Sequence, residues 1–246
     1  MKQTILKYSS LLALLGSPLI SSQTYAAECA TGPAPVAGCT IDVSETTYTL
    51  TGDIEPAEDV IGIEIGGLEF VSASTLNLTG DITTSGSDAD GLRENLWSQL
   101  NTINITGDIS ASGFSANGLN INSLGYSYIT LLGDITVSGT SGHGVKLYSD
   151  NSEFTMTGNI ATSGQGGDGL DIQGDSNTVL LTGDITLLEE NALGPQDAIT
   201  IIGDSNNVTI TGNVTSNAST GPRGSYGSGL YISSGTSNTI VLNGNM

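Results

Sequence analysis

A tetrapeptide that keeps returning constrains this chain more than any other feature. Thr51-Gly52-Asp53-Ile54 recurs as Thr79 to Ile82, Thr106 to Ile109, Leu132 to Ile135, Thr157 to Ile160, Thr182 to Ile185 and Thr211 to Val214. An eighth copy, Asn243-Gly244-Asn245-Met246, stands where the sequence stops. Its glycines are 28, 27, 26, 25, 25, 29 and 32 residues apart. Self-similarity at such a period marks a stacked solenoid, in which each unit buries its apolar face only against its neighbours.

The other markers keep their offsets. Ser-Gly pairs end at Gly86, Gly113, Gly139 and Gly164, and a second glycine followed by an aliphatic residue gives Gly91-Leu92, Gly118-Leu119, Gly144-Val145 and Gly169-Leu170. Alternating apolar runs precede the tetrapeptide, as in Leu76-Asn77-Leu78, Ile103-Asn104-Ile105 and Val208-Thr209-Ile210. Period-two runs bounded by Gly, Asn, Asp and Ser are strands and turns. Three short strands per repeat, with no helical period, predict an all-β fold: a right-handed parallel β-helix of about seven rungs. At roughly 4.8 Å per rung the rod is on the order of 34 Å long. The position between the two apolar residues of the second strand varies freely, through Glu64, Asn120, Lys146, Asp171, Thr200 and Tyr231, so it is expected to be a solvated face.

Residues 1–27 are of another kind. Lys2 and Lys7 precede the apolar run Leu11 to Gly16, and Ala26-Ala27 offers a processing site, the pattern of a secretory signal peptide. Export puts Cys29 and Cys39 in an oxidising compartment, where the expected pairing closes a cap loop over 28–40 and stabilises by about 2.8 kcal/mol in the chain-entropy model. Two unpaired thiols or an intermolecular link are the alternatives. The helix itself is expected over 41–246.

Charge narrows the partners. Beyond the signal segment only Arg93, Lys146 and Arg223 face 25 acidic residues, a net charge of −22. Nucleic acid binding needs clustered cations and is disfavoured, as are acidic polysaccharide and anionic lipid. No cofactor is expected.

Two arrangements suggest metal. The column Asp53, Asp81, Asp108, Asp134 and Asp184 could be a calcium ladder, but Asn159, Asn213 and Asn245 occupy the same place. Asn keeps the oxygen that closes a local turn and drops the charge, so turn formation is the preferred explanation. Gly166-Gly167-Asp168-Gly169-Leu170-Asp171 begins like a calcium-binding nonapeptide, yet Gln173 replaces the next aliphatic and no tandem copy follows. The expectation is no metal site.

Catalysis finds equally little. Arg93 and Lys146 share an offset but lie two rungs apart, near 10 Å by stacking. Asp168 with Asp171, and Asp88 with Asp90, read as solvated turn pairs, and His143 has no nucleophile constellation beside it. The chain is expected not to be an enzyme. The competing class is a β-helical polysaccharide lyase or glycoside hydrolase, whose clustered acids perform acid-base chemistry.

The repeat style, as in Ile105 to Ile121 and from Leu181 onward, together with the signal peptide, sparse cysteines and acidic composition, resembles the passenger region of Gram-negative autotransporters over residues 41–246. That resemblance implies a surface-displayed or released stalk, often adhesive toward host cells or matrix, linked in its full-length form to an outer-membrane β-barrel. No membrane-inserting segment is expected in this stretch, and periplasmic residence is expected if the protein is truly truncated. The ending inside a rung leads to the expectation of a piece of a longer protein. Insertions at Leu187 to Gln196 and Ser216 to Gly227 lengthen two rungs, and the second carries Arg223 and Tyr226, the candidate binding loop.

Overall fold

The structure, a computed structural model, describes residues 27–34, 37–67, 69–188, 196–216 and 227–246. All but the last residue of the signal segment, and both Arg223 and Tyr226, lie outside these residues. Among the described residues every regular element is a strand, and every pairing between strands is parallel.

The strands stack into three long sheets, so the chain is a parallel β-helix. The first sheet holds nine strands, including Cys39–Ile41, Ile63–Ile65, Leu92–Glu94, Leu119–Ile121, Val145–Leu147, Leu170–Gln173, Ile199–Ile202 and Leu230–Ser234. The second, also nine-stranded, is built from Gly32–Pro33 and the eight five-residue runs that end in the first residue of each tetrapeptide, from Thr47–Thr51 to Thr239–Asn243. The third begins at the isoleucine of the tetrapeptide and runs through six strands from Ile82–Ser85 to Val214–Ser216, with Ile54 joining Ile82 by a single bridge.

Register follows the repeat without slippage through the second sheet: Thr51, Thr79, Thr106, Leu132, Thr157, Thr182, Thr211 and Asn243 are successive Cα partners. Because side chains alternate faces, one-residue spacing between apolar residues sends both inward. Leu78, Ile105, Leu131, Met156, Leu181 and Ile210 form one interior column, and Ile82, Ile109, Ile135, Ile160 and Ile185 another, all buried. Fully burying such side chains is worth roughly 1.5–3 kcal/mol each before conformational entropy is subtracted.

The tetrapeptide has a specific task at the corner between the second and third sheets. Gly80, Gly107, Gly133, Gly158, Gly183 and Gly212 all have φ between 145° and 155°, and a Cβ on any of them would collide with the carbonyl oxygen of the glycine one rung before. Only glycine permits both the dihedral and the close approach. The following Asp or Asn then accepts, through Oδ1, the backbone N–H of its counterpart on the next rung: Asp81 N–H to Asp53 at 3.0 Å, Asp108 to Asp81 at 2.8 Å, Asp134 to Asp108 at 2.8 Å, Asn159 to Asp134 at 2.7 Å and Asp184 to Asn159 at 2.9 Å. The ladder continues through Asn213 and Asn245. The oxygen thus ties neighbouring rungs together, which corrects the expectation that it closes a local turn. The reason is geometric: the in-register stack places each N–H directly against the preceding carboxyl.

The N-terminal segment is more than a loop. Ala27–Glu28 pairs with Cys39–Thr40, and Gly32–Pro33 with Leu50–Thr51, so it supplies short covering strands to two sheets. Cys29 and Cys39 form a disulfide with both residues buried, which fastens these strands to the first rung.

Replacing Asp134 by alanine leaves the Asn159 N–H without its inter-rung acceptor and is expected to cost about 1 kcal/mol, whereas Asp134→Asn stays close to wild type. Urea unfolding of the two variants measures the difference.

Candidate functional site

A second ladder runs along the corner that leads into the first sheet, and it contains the residues that invite a chemical reading. Asn117 N–H is donated to Asp90 Oδ1 at 2.8 Å, His143 N–H to Asn117 Oδ1 at 2.9 Å, Asp168 N–H to His143 Nδ1 at 3.1 Å and Asp197 N–H to Asp168 Oδ1 at 2.8 Å. The isolated histidine is therefore one member of a column of acceptors. Its neighbours on adjacent rungs are an asparagine and an aspartate because any side chain with an acceptor at that distance serves.

Next to this column stands the outward position of the first sheet, in the register Glu64, Arg93, Asn120, Lys146, Asp171, Thr200 and Tyr231. The expectation of a solvated face fails at Asp171 and Thr200, which are only 2% and 6% exposed. The two columns lie side by side and exchange hydrogen bonds. Arg93 Nε donates to Asp90 Oδ2 at 2.6 Å, an ion pair in which the carboxylate is fully buried, and Asn120 Nδ2 donates to the same oxygen at 2.7 Å. Two rungs on, Tyr148 Oη donates to Asp171 Oδ2 at 2.8 Å, Gln173 Nε2 donates to the Tyr148 oxygen and to Asp171, and Lys146 Nζ sits 4.4 Å from the centre of the Tyr148 ring. Asp168, Asp171 and Asp90 are thus built into this network and are not the solvated turn residues expected, whereas Asp88 stays exposed in its turn as expected and offers only its backbone carbonyl to Arg93. Parallel stacking joined to outward projection brings together residues 23 to 30 positions apart in the chain.

Burial sets the electrostatics. Asp168 is pushed up to about 6, chiefly by burial, against the lowering effect of the Asp197 N–H. Burial also lowers His143, with Asp171 acting in the opposite sense, and raises the Tyr148 hydroxyl, helped by the Asp171 charge. His143 is accordingly neutral, and its Nδ1 is an acceptor, so the ring proton resides on Nε2.

His143, Asp168 and Asp171 each offer an atom to a cluster whose members lie within 4.8 Å of one another. The donor set is one that a divalent cation could use. The tautomer works against the imidazole as a ligand: metal-bound histidines donate their second ring N–H, whereas here the second nitrogen accepts from Asp168. Asp171 already receives Tyr148 and Gln173 as donors. The arrangement is better suited to tying neighbouring rungs together than to holding an ion.

Sequence reasoning missed Glu94. Its neighbours in register are the interior residues Ile65 and Ile121, and it is fully buried. Asn101 Nδ2 at 2.8 Å and Ser127 Oγ at 2.9 Å donate to Oε1, while Oε2 has no hydrogen-bond partner among the described residues. Burial raises its pKa. A signal existed: Gly91-Leu92-Arg93-Glu94 places glutamate where the repeat otherwise has an aliphatic residue.

No family model, no curated protein and no solved structure matches the chain, so its fold and the geometry of these columns carry the functional argument.

Because the folded pKa of Asp168, about 6, exceeds the unfolded value of about 3.9, folding takes up a proton. Its contribution is fully present below pH ~4 and is lost as pH rises through 6, a fall of at most about 3 kcal/mol. Asp168→Asn keeps the ladder acceptor and is expected to flatten stability between pH 4 and 7, as read by urea unfolding at a series of pH values.

Proposed function

We propose that this chain is a non-catalytic, exported β-helical passenger region of an autotransporter-like protein, serving as a stalk at or beyond the cell surface. One observation carries the reading: the residues capable of chemistry are occupied in holding rungs together. His143, Asp168, Asp90 and Asn117 are ladder acceptors, and Arg93 is tied to Asp90. A long parallel stack with a largely aliphatic interior is what a spacer requires, since each added rung extends the rod without redesign of the core. The signal-like segment over 1–27 and the acidic surface support export and resistance to self-association. Linkage to an outer-membrane barrel and adhesion to a host-cell or matrix surface belong to the same reading and rest on the resemblance of the repeats.

A second reading, a β-helical polysaccharide lyase or glycoside hydrolase, draws on one arrangement. Asp168 has a raised proton affinity, whereas Asp171 accepts from Tyr148 and Gln173, and the two carboxyls share a cluster with His143. Pairs of carboxyls in diverging environments are how acid and base roles are divided. Asp171 is, however, 2% exposed, which leaves a substrate no direct access to it.

Antibodies raised against the folded solenoid are expected to label intact source cells or to find the protein in the medium. Labelling only after permeabilisation contradicts display. Purified protein is expected to release neither reducing nor unsaturated ends from a panel of neutral and acidic polysaccharides, and release that disappears in Asp171→Asn would establish the enzyme reading instead.

A further inference from the structure

The corner between the first and second sheets changes character along the rod. Nine residues connect Ile65 to Thr75, seven connect Glu94 to Thr102, six connect Ile121 to Tyr128, five connect Leu147 to Glu153 and four connect Gln173 to Thr178. The two longest connections add a small sheet of their own, Val71–Ser72 paired with Ser98–Gln99. From these long corners project Phe70, Leu96, Trp97, Leu100, Leu124 and Tyr126, each between 45% and 62% exposed. Backbone bonds stack them on successive rungs: Val71 N–H to the Trp97 carbonyl at 2.8 Å, Leu124 N–H to Ser98 at 2.9 Å and Leu100 N–H to Gly125 at 3.2 Å.

The fold does not need these side chains. Leu100 and Tyr126 occupy left-handed backbone, with φ of 57° and 62°. The same column on later rungs is filled by Asn151, Ser176, Ser205 and Ser237 at nearly the same dihedral, and the small or polar residue is the easier one to hold there. Large apolar groups at a strained, exposed position cost solubility and add nothing to the interior. A concentrated patch of this kind, on insertions that project from one side of a solenoid, marks an interaction surface.

Charge selects the partner. The patch is flanked by exposed acids: Glu45, whose N–H bonds Ser72; Glu69, next to Phe70; Asp150, whose carbonyl receives the Tyr126 N–H; and Glu153, the register partner of Tyr128. The cations at hand are engaged elsewhere, Arg93 with Asp90 and Lys146 over Tyr148. Nucleic acid and anionic bilayers are repelled, and a second copy of a chain with net charge −20 brings like charge to the same face. We infer that this corner is a docking surface for a polypeptide segment whose apolar side chains are flanked by lysine or arginine. Aromatic anchors in the centre with a charged rim match the general anatomy of protein interfaces. The inference goes beyond the stalk reading and holds wherever the protein resides.

Trp97 is the only tryptophan in the chain, so its emission reports on the patch directly. Titration of the purified protein with a synthetic amphipathic Leu/Lys peptide is expected to give a saturable blue shift. A Lys/Ser peptide of equal charge is expected to bind at least tenfold more weakly. Phe70→Ser combined with Leu124→Ser, which retains the reporter, is expected to weaken the Leu/Lys complex at least tenfold. Leu96→Lys, a single exposed change that adds repulsion, is expected to act in the same direction and serves if the double variant fails to fold. Equal binding of the Lys/Ser peptide would reduce the effect to bulk charge, and wild-type affinity in the folded variants would move the site elsewhere. A blue shift with a neutral oligosaccharide but not with the Leu/Lys peptide would replace a polypeptide partner by a glycan. Each of these three results overturns the proposal.

Discussion

The structure depends on a hydrogen bond from the backbone of one rung to a side chain of the rung before. At the corner between the second and third sheets a glycine passes so close to its predecessor that no Cβ fits, and the next residue's carboxyl or amide oxygen receives the incoming N–H. A parallel stack leaves corner amides without ladder partners, and a buried or crowded amide left unpaired costs as much as a lost hydrogen bond. Repeating one side-chain acceptor at one offset solves that problem on every rung. It also explains why Asp and Asn alternate without pattern, since both present the same Oδ1.

The same device shapes the functional argument. At the entry to the first sheet the acceptor column reads Asp90, Asn117, His143, Asp168 and Asp197. Viewed singly, a neutral histidine near two aspartates suggests a metal or an acid-base centre. Viewed as a column, each residue has a structural partner, and the unusual proton affinity of Asp168 follows from burial beside a stack of other acceptors. Where side chains are surplus to this scheme the rod becomes informative again, at the apolar corner around Trp97.

The repeating tetrapeptide, the alternating aliphatic runs and the Gly-aliphatic pairs were enough to read the three sheets from sequence, because period-two alternation and invariant offsets are local signals. The disulfide between Cys29 and Cys39 was legible as the preferred pairing. What the sequence concealed was lateral. Asp171 varies with its register partners Lys146 and Thr200, and variation looked like solvation, yet it is covered and bonded to Tyr148, a residue one rung away. Glu94 occupies an interior column between Ile65 and Ile121, a fact visible only once the offset is carried past an unhelpful residue type. The purpose of the tetrapeptide aspartates was misassigned for the same reason: a local turn can be proposed from one repeat, an inter-rung bond only from two.

Amide hydrogen exchange at the tetrapeptide aspartates tests the central claim most directly. The side chains of Asp81, Asp108, Asp134 and Asn159 are exposed, so ordinary surface amides there would exchange freely. The inter-rung ladder predicts that their N–H groups are protected to nearly the same degree as the strand amides of Ile105 and Leu131. Fast exchange at these four amides, with the flanking strands protected, would contradict it.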